Sequence, residues 1–146
     1  MTQAISQVLL LRHAEFPTRT LAFSKIKAFL ERFGADASLR PEDWFKLVLL
    51  TEELFTNSIH HTRADDSAAM VRVEVASLKK HIRLTYEDTA PPYNPLSEAE
   101  RVNLQLPAET RPDGLAMLLT VRLTEGARYS YVQGRNRVEL ILSRSR

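Results

Sequence analysis

The sequence predicts an α/β (α+β) two-layer sandwich, with helices packed on one face of a mostly antiparallel mixed sheet. Residues 69–77 and 81–88 alternate apolar and polar side chains, as half-buried strands do. Residues 18–34 and 41–61 instead repeat apolar side chains at helical spacing. Since the two alternating segments are joined by a short turn at Lys79 and Lys80, we expect an antiparallel pair.

The first half of the chain reads as strand, helix, helix. Residues 7–16 form the predicted opening strand, and Gly34 provides a stop signal for the first helix. The second helix should begin near Pro41, which suits a first helical turn. The predicted apolar faces are Leu21, Ile26, Phe29, Leu30 and Phe33 for the first helix, and Trp44, Leu47, Val48, Phe55 and Ile59 for the second.

The second half ends in a predicted third helix, at about 113–124, and a hairpin. The hairpin is "ARYSYVQ", a turn "GRN" and "RVELILS". Residues 89–113 show no sustained period and hold five of the seven prolines. A loop of this length is either functional, such as a lid over a site, or an irregular excursion, here with a short helix through "LSEAERVNL".

Composition narrows the class of protein. The 146 residues are 44% hydrophobic, which suits one domain spanning residues 1–146. No cysteine is present, so disulfides and thiolate metal sites are excluded. With no apolar run long enough for a bilayer and no basic leader, we expect a cytoplasmic protein without a membrane partner.

The formal net charge of +2 is unevenly distributed, because residues 126–146 hold five arginines and one glutamate. The alternation around Arg135 and Arg137 favours a solvated strand face over a direct nucleic-acid contact. Nucleic-acid binding remains a third hypothesis, marked by a steep salt dependence. Neither a P-loop nor a GxGxxG motif is present.

Three polar residues recur every four positions in the apolar second helix: Glu53, Asn57 and His61. Each step of four rotates by about 40°, so they lie along one flank. Asn57 is more telling than Glu53, because an asparagine is a poor helix-interior residue. Glu53 alone also fits a solvated carboxylate, and His61 also fits a favourable position at the helix C-terminus.

The chain resembles the GHKL (Bergerat-fold) ATPases in three sequence motifs, or boxes, that occur in the family's order. "EELFTNSIHHT" is similar to the N-box, "YEDTAPPYNP" to the following box, and "RPDGLAMLLTVRLTEGARYSYVQGRNRVELIL" to the last box and terminal hairpin. The phrases "PPYNP" and "GRNRVEL" resemble the bacterial anti-sigma-factor serine/threonine-protein kinases. The resemblance covers nearly the whole chain and implies a single histidine-kinase-like ATPase domain.

The resemblance implies ATP and Mg²⁺ as cofactors and assigns the site. Asn57 would be the Mg²⁺ ligand, because Mg²⁺ prefers hard oxygen donors. Glu53 would be the general base, and Asp88 would accept from the adenine amino group. Residues 89–113 would form the lid. The remaining implied nucleotide contacts are His61, Ala90, Arg111, Gly114, Leu115 and Ala116.

Two hypotheses follow from the resemblance. In the first, the domain is a kinase that binds a sigma factor and phosphorylates an anti-anti-sigma protein, as a homodimer. In the second, it is a partner-binding regulatory module whose nucleotide site has degenerated. Glu53, Asn57 and Asp88 favour the first. Ala90 and Ala116, at positions where the family usually has glycine, and Asp113 favour the second.

Overall fold

The computed structural model describes residues 7–97 and 124–145, which form a five-stranded sheet with helices on one face. The strands are β1 (Val8–Pro17), β2 (Met70–Leu78), β3 (His81–Asp88), β4 (Gly126–Val132) and β5 (Arg135–Ser143). A 3₁₀ turn (Thr20–Ala22) leads into α1 (Phe23–Asp36), and α2 spans Pro41–His61. The sheet order is β1-β2-β3-β5-β4, and all four pairings are antiparallel. The predicted fold class is confirmed.

The core lies between the sheet and the two helices. Successive strand residues point to opposite faces, so the alternation seen in the sequence buries one apolar set per strand. From the strands the core takes Val71, Val73, Val75, Ile82, Leu84, Tyr86, Val138, Leu140 and Leu142. From the helices it takes Ile26, Leu30, Phe33, Leu47, Leu50, Leu54 and Phe55.

Helix α2 begins at Pro41, as the sequence predicts, with Glu42 and Asp43 in its first turn. Its buried stripe starts with Asp43 and ends with Ser58. Leu47, Val48 and Phe55 of the predicted apolar face are buried, while Trp44 and Ile59 pack against the core from partly buried positions. The stripe therefore brings a polar residue, Ser58, over the end of the sheet.

The first helix differs from the prediction at both ends. Leu21, expected on the apolar face, lies in the 3₁₀ turn and is 90% exposed. Gly34 does not stop the helix, which continues to Asp36. A Cβ added at Gly34 would lie 2.8 Å from Trp44 Cδ1, so this glycine allows α1 to approach α2 closely.

The terminal hairpin is confirmed, but its turn is displaced from the predicted "GRN". The two central residues are Gln133 and Gly134, with φ of 52° and 77°. Two-residue turns with both φ values positive match the twist of the flanking strands. Arg135 and Asn136, expected in the turn, are therefore the first residues of β5.

The sheet face away from the helices carries charged pairs. Glu87 lies 3.7 Å from Arg135 and 3.8 Å from Arg137, and Arg128 contacts Glu139 at 2.6 Å. The alternating arginines thus lie on a strand face among carboxylates, as the sequence indicates. Among the described residues no helix is both long and apolar enough to cross a bilayer.

Candidate functional site

The centre of the candidate site is Asp88, the last residue of β3. It continues the buried alternation of Ile82, Leu84 and Tyr86, so its carboxylate points toward the helices and is only 1% exposed. Its register partner on β5 is Asn136, which continues the alternation of that strand in the same way. The apolar core therefore ends, on two adjacent strands, in a buried carboxylate and a buried amide.

Four donors surround the Asp88 carboxylate. Oδ1 accepts from the Asn136 side chain at 2.9 Å and from the Ala90 main chain at 3.2 Å. Oδ2 accepts from Ser58 Oγ at 2.6 Å and from Tyr93 Oη at 2.9 Å. A buried carboxylate is costly unless it is hydrogen-bonded, and this one has a partner for each lone pair.

Ser58 links the carboxylate to a second buried hydroxyl. Its Oγ lies 2.8 Å from Tyr86 Oη. Because the single Ser58 proton is donated to Asp88, Tyr86 is the donor to Ser58. The chain of bonds from Tyr86 through Ser58 to Asp88 fixes α2 against the end of β3.

Asn136 holds the segment that follows β3. Its Nδ2 donates to the carbonyl oxygens of Ala90 and Pro91, each at 3.1 Å. Its Oδ1 accepts from the Tyr93 main chain at 3.0 Å and from Tyr129 Oη at 2.6 Å. One amide thus fixes the first turn of the predicted lid to the sheet.

The three tyrosines of the site have raised pKa values, so their hydroxyl groups stay protonated and can donate hydrogen bonds. Burial, and then the Asp88 charge, raise the pKa of Tyr93. Burial also raises the pKa of Tyr86 well above its usual value, and the pKa of Tyr129 is raised by burial and by Asp88. The three phenols therefore keep their protons at neutral pH.

The flank predicted from the sequence lies beside this network. Glu53 and Asn57 are partly buried and His61 is exposed, so the flank follows the boundary between core and solvent. The His61 ring stacks on the Tyr93 ring, with centroids 3.8 Å apart and an interplanar angle of 10°. The structure thus brings Asn57 and His61 to the same end of the sheet as Asp88.

Within residues 7–97 and 124–145 the Asn57 amide has no hydrogen-bond partner. In the same ranges no group of three or more histidine, aspartate and glutamate side chains is arranged to hold a metal ion. Asn57 and Asp88 carry amide and carboxylate oxygens on separate elements, α2 and β3.

Comparison with known proteins shows the family to which this chain belongs. The model of the histidine kinase-like ATPase domain family matches residues 16–142. The chain belongs to this family. A search of curated proteins found no match.

The fold of this histidine kinase-like ATPase domain also resembles a solved structure, the RsbU and RsbW domains of Rv1364c from Mycobacterium tuberculosis. The TM-score is 0.67 at 20% sequence identity. The match covers 94% of this chain and 33% of the other, so this chain spans about a third of the length of the solved chain.

Of the residues that the resemblance assigns, the structure describes five. Glu53, Asn57 and His61 lie in the C-terminal half of α2, Asp88 is the last residue of β3, and Ala90 is buried with its N–H on Asp88. The remaining predicted contacts lie outside the described residues: Arg111, Gly114, Leu115 and Ala116. So do the predicted third helix and most of the predicted lid. The predicted short helix begins at Pro95, and its course after Ser97 is also outside that range.

Three residues whose side chains donate to Asp88 were not predicted: Ser58, Tyr93 and Asn136. A signal existed for Asn136, because positions 136, 138, 140 and 142 share the face that is apolar in the rest of the strand. Ser58 lies at the end of the buried stripe of α2, where a serine needs a partner. For Tyr93 the sequence alone offered no periodic signal.

Proposed function

We propose that this domain binds ATP with Mg²⁺ and acts as an anti-sigma regulatory factor with serine/threonine-protein kinase activity toward an anti-anti-sigma partner. One observation carries the proposal: Ser58, the residue next to Asn57 in α2, donates to the buried Asp88 carboxylate at 2.6 Å, in a chain of the histidine kinase-like ATPase family. The motifs around "PPYNP" and "GRNRVEL" support the anti-sigma kinase branch.

At the base end, Asp88 would accept a hydrogen bond from the adenine amino group. A carboxylate held by Ser58 and Asn136 is fixed in direction, which suits the recognition of one edge of a base. His61 offers a flat imidazole near the same position. The base would therefore be recognised at its edge by Asp88 and on its face by His61.

At the phosphate end, Asn57 would bind Mg²⁺ through its amide oxygen. Mg²⁺ keeps several waters and is usually held by one or two protein oxygens together with phosphate oxygens. The described residues contain no cluster of acidic and histidine side chains for this ion, which fits a metal that arrives with the nucleotide. Arg111 and Gly114–Ala116 are proposed as further phosphate-side contacts.

Glu53 lies one helical turn before Asn57 and would orient or deprotonate the serine hydroxyl of the partner protein. We propose it as the general base. A Glu53→Gln variant should keep the Kd for Mg·ATP but lower the rate of ADP formation at saturating ATP by about 100-fold. An unchanged rate would remove Glu53 from the chemistry.

The nucleotide site is tested by calorimetric titration with ATP and ADP, with and without Mg²⁺, for the wild-type domain and Asn57→Ala. We expect micromolar binding that needs Mg²⁺ and is lost in the variant, with the far-UV circular dichroism unchanged. No heat at millimolar nucleotide from a folded wild-type protein would contradict the proposal.

A second candidate function is a partner-binding regulatory module without nucleotide. The observation that favours it is the full set of internal donors on Asp88, together with Ala90 where the family usually has glycine. The same titration separates the two functions, because the module would remain folded and bind its protein partner without ATP.

A further inference from the structure

We infer that the phenol ring of Tyr93 is an internal occupant of the base end of the nucleotide pocket, and that a nucleotide must displace it in order to bind. The inference rests on the proposed function, since it assigns the base to the Asp88 carboxylate. It adds Tyr93 as a residue that determines nucleotide affinity.

The Asp88 carboxylate has no free position for another hydrogen-bond donor. A carboxylate has about four lone-pair positions, and Asp88 already accepts four hydrogen bonds. A base that donates its amino group to Asp88 must therefore replace one of the four donors. The site as it stands is complete without a ligand.

Three of the four donors are fixed by other contacts. Ser58 is fully buried in α2 and also accepts from Tyr86. Asn136 lies in β5 and holds two carbonyl oxygens besides Asp88. The Ala90 N–H follows Asp88 by two residues in the chain, so it cannot move away independently.

Tyr93 is the donor that can leave. It lies outside the helices and strands, and its side chain is only partly buried. Its main-chain N–H is held by Asn136 at 3.0 Å, so rotation of the side chain would free the ring while the backbone stays in place. Of the four donors, it alone is carried by a long side chain from a loop.

The geometry of Tyr93 matches that of a bound base. Its ring lies flat on His61, with centroids 3.8 Å apart, while its edge donates to Asp88 Oδ2 at 2.9 Å. A purine stacked on His61 with an amino group toward Asp88 would make the same two contacts. The ring and the base would therefore compete for one slot.

The competition predicts a measurable gain in affinity when the ring is removed. The apparent Kd equals the intrinsic Kd divided by the fraction of molecules with the slot open. Since a hydrogen bond to a charged acceptor changes an equilibrium by about tenfold or more, Tyr93→Ala should bind Mg·ADP at least about tenfold more tightly than wild type. Tyr93→Phe keeps the stacking and should lie between the two.

The experiment is a calorimetric titration with Mg·ADP of wild type, Tyr93→Phe, Tyr93→Ala and the control Phe45→Ala. Phe45 is an exposed aromatic residue near the start of α2, and its removal should leave the Kd unchanged. A ¹⁹F NMR spectrum of fluorotyrosine-labelled protein, with the Tyr93 signal assigned from Tyr93→Phe, provides a second readout. ADP should shift that signal toward the free amino acid.

Equal Kd values for wild type and both Tyr93 variants would overturn the inference and leave nucleotide binding intact. Weaker binding by Tyr93→Ala would also overturn it, because Tyr93 would then be a contact to the base. If neither wild type nor Tyr93→Ala binds, the proposed function itself fails. If Tyr93→Ala binds Mg·ADP and the wild type does not, the inference receives its strongest support.

Discussion

At the residue scale, the site depends on the satisfaction of one buried carboxylate. Asp88 is tolerated in the core because each oxygen has two donors. Those donors come from α2, β5 and the loop after β3, so the same bonds that satisfy the charge also join three parts of the chain.

Removing the Asn136 amide should therefore destabilise the fold strongly. Asn136→Ala leaves Asp88 short of one donor and releases the carbonyl oxygens of Ala90 and Pro91. We expect the free energy of unfolding, measured with urea, to fall by about 3 kcal/mol, since a buried charged group is left partly unsatisfied. The control Ser143→Ala, at the exposed end of the same strand, should change it by less than about 0.5 kcal/mol.

The buried phenol of Tyr86 predicts a loss of stability in alkali. Burial raises its pKa in the folded state above 10.0, so only the unfolded state ionises when the pH rises past that value. The stabilisation is complete below pH 10 and declines above it, by about 1.4 kcal/mol per pH unit for one group. Urea unfolding between pH 9 and 11 should show a shallower decline for Tyr86→Phe than for wild type. Parallel profiles would mean that Tyr86 ionises equally in both states.

At the element scale, the end of the chain stabilises the start of α2. Asp43, in the first turn of α2, is 1% exposed and accepts from the main chain and hydroxyl of Ser145 at 2.7 and 3.0 Å. The neighbouring Arg144 donates to the Ala37 carbonyl at 2.7 Å and to Ser77. The tail after β5 thus ties the sheet to the connection between the helices.

Asp43→Ala should lower the free energy of unfolding by about 2 kcal/mol, because the partners in Ser145 lose a charged acceptor. Glu42→Ala is the matched control, since Glu42 is an exposed acid in the same turn of the helix. It should cost about 0.5 kcal/mol, the usual size of a favourable helix-dipole contact. Equal losses for the two variants would show that the Ser145 contacts contribute nothing.

Elements with a strong local period were predictable, and their contacts with other elements were not. The alternation in β2 and β3 and the apolar stripe of α2 specified those elements to within a residue or two. Gly34 is not a helix stop, because it is required for the close approach of Trp44 from another helix. The predicted hairpin turn is displaced because glycine suits more than one position in a turn. The positive φ values of Gln133 and Gly134 show which two residues form it.

The same distinction holds within the site. Glu53, Asn57 and His61 were visible as a local spacing on one helix. The pairing of Ser58 with Asp88, and of Asp88 with Asn136, joins residues 30 and 48 positions apart. Such contacts follow from strand register and helix placement, which a single sequence does not specify.

At the scale of the whole molecule, edge strand β1 exposes apolar side chains in the part of the chain that the structure describes. Strand β1 is at the edge of the sheet, and Val8, Leu9 and Leu11 are 42%, 57% and 44% exposed. An exposed apolar edge strand is a natural pairing surface for a second chain. We propose that the domain forms a homodimer through this edge.

Light scattering after size exclusion should give twice the chain mass of 16.7 kDa for the wild-type domain and the single mass for Leu11→Lys. The control Leu21→Lys introduces the same charge at a leucine that is 90% exposed outside the strand. It should remain dimeric. A monomeric wild type, or a dimeric Leu11→Lys, would contradict pairing through β1.

The proposed nucleotide site depends on Asp88 recognising the amino group of adenine. The most direct test compares the Kd values of Mg·ATP and Mg·ITP for the wild-type domain, because inosine has a carbonyl oxygen where adenine has the amino group. We predict that ATP binds at least about tenfold more tightly, since ITP would place an acceptor against the buried carboxylate. Equal affinity for the two nucleotides, or no binding of either at millimolar concentration, would contradict recognition of adenine by Asp88.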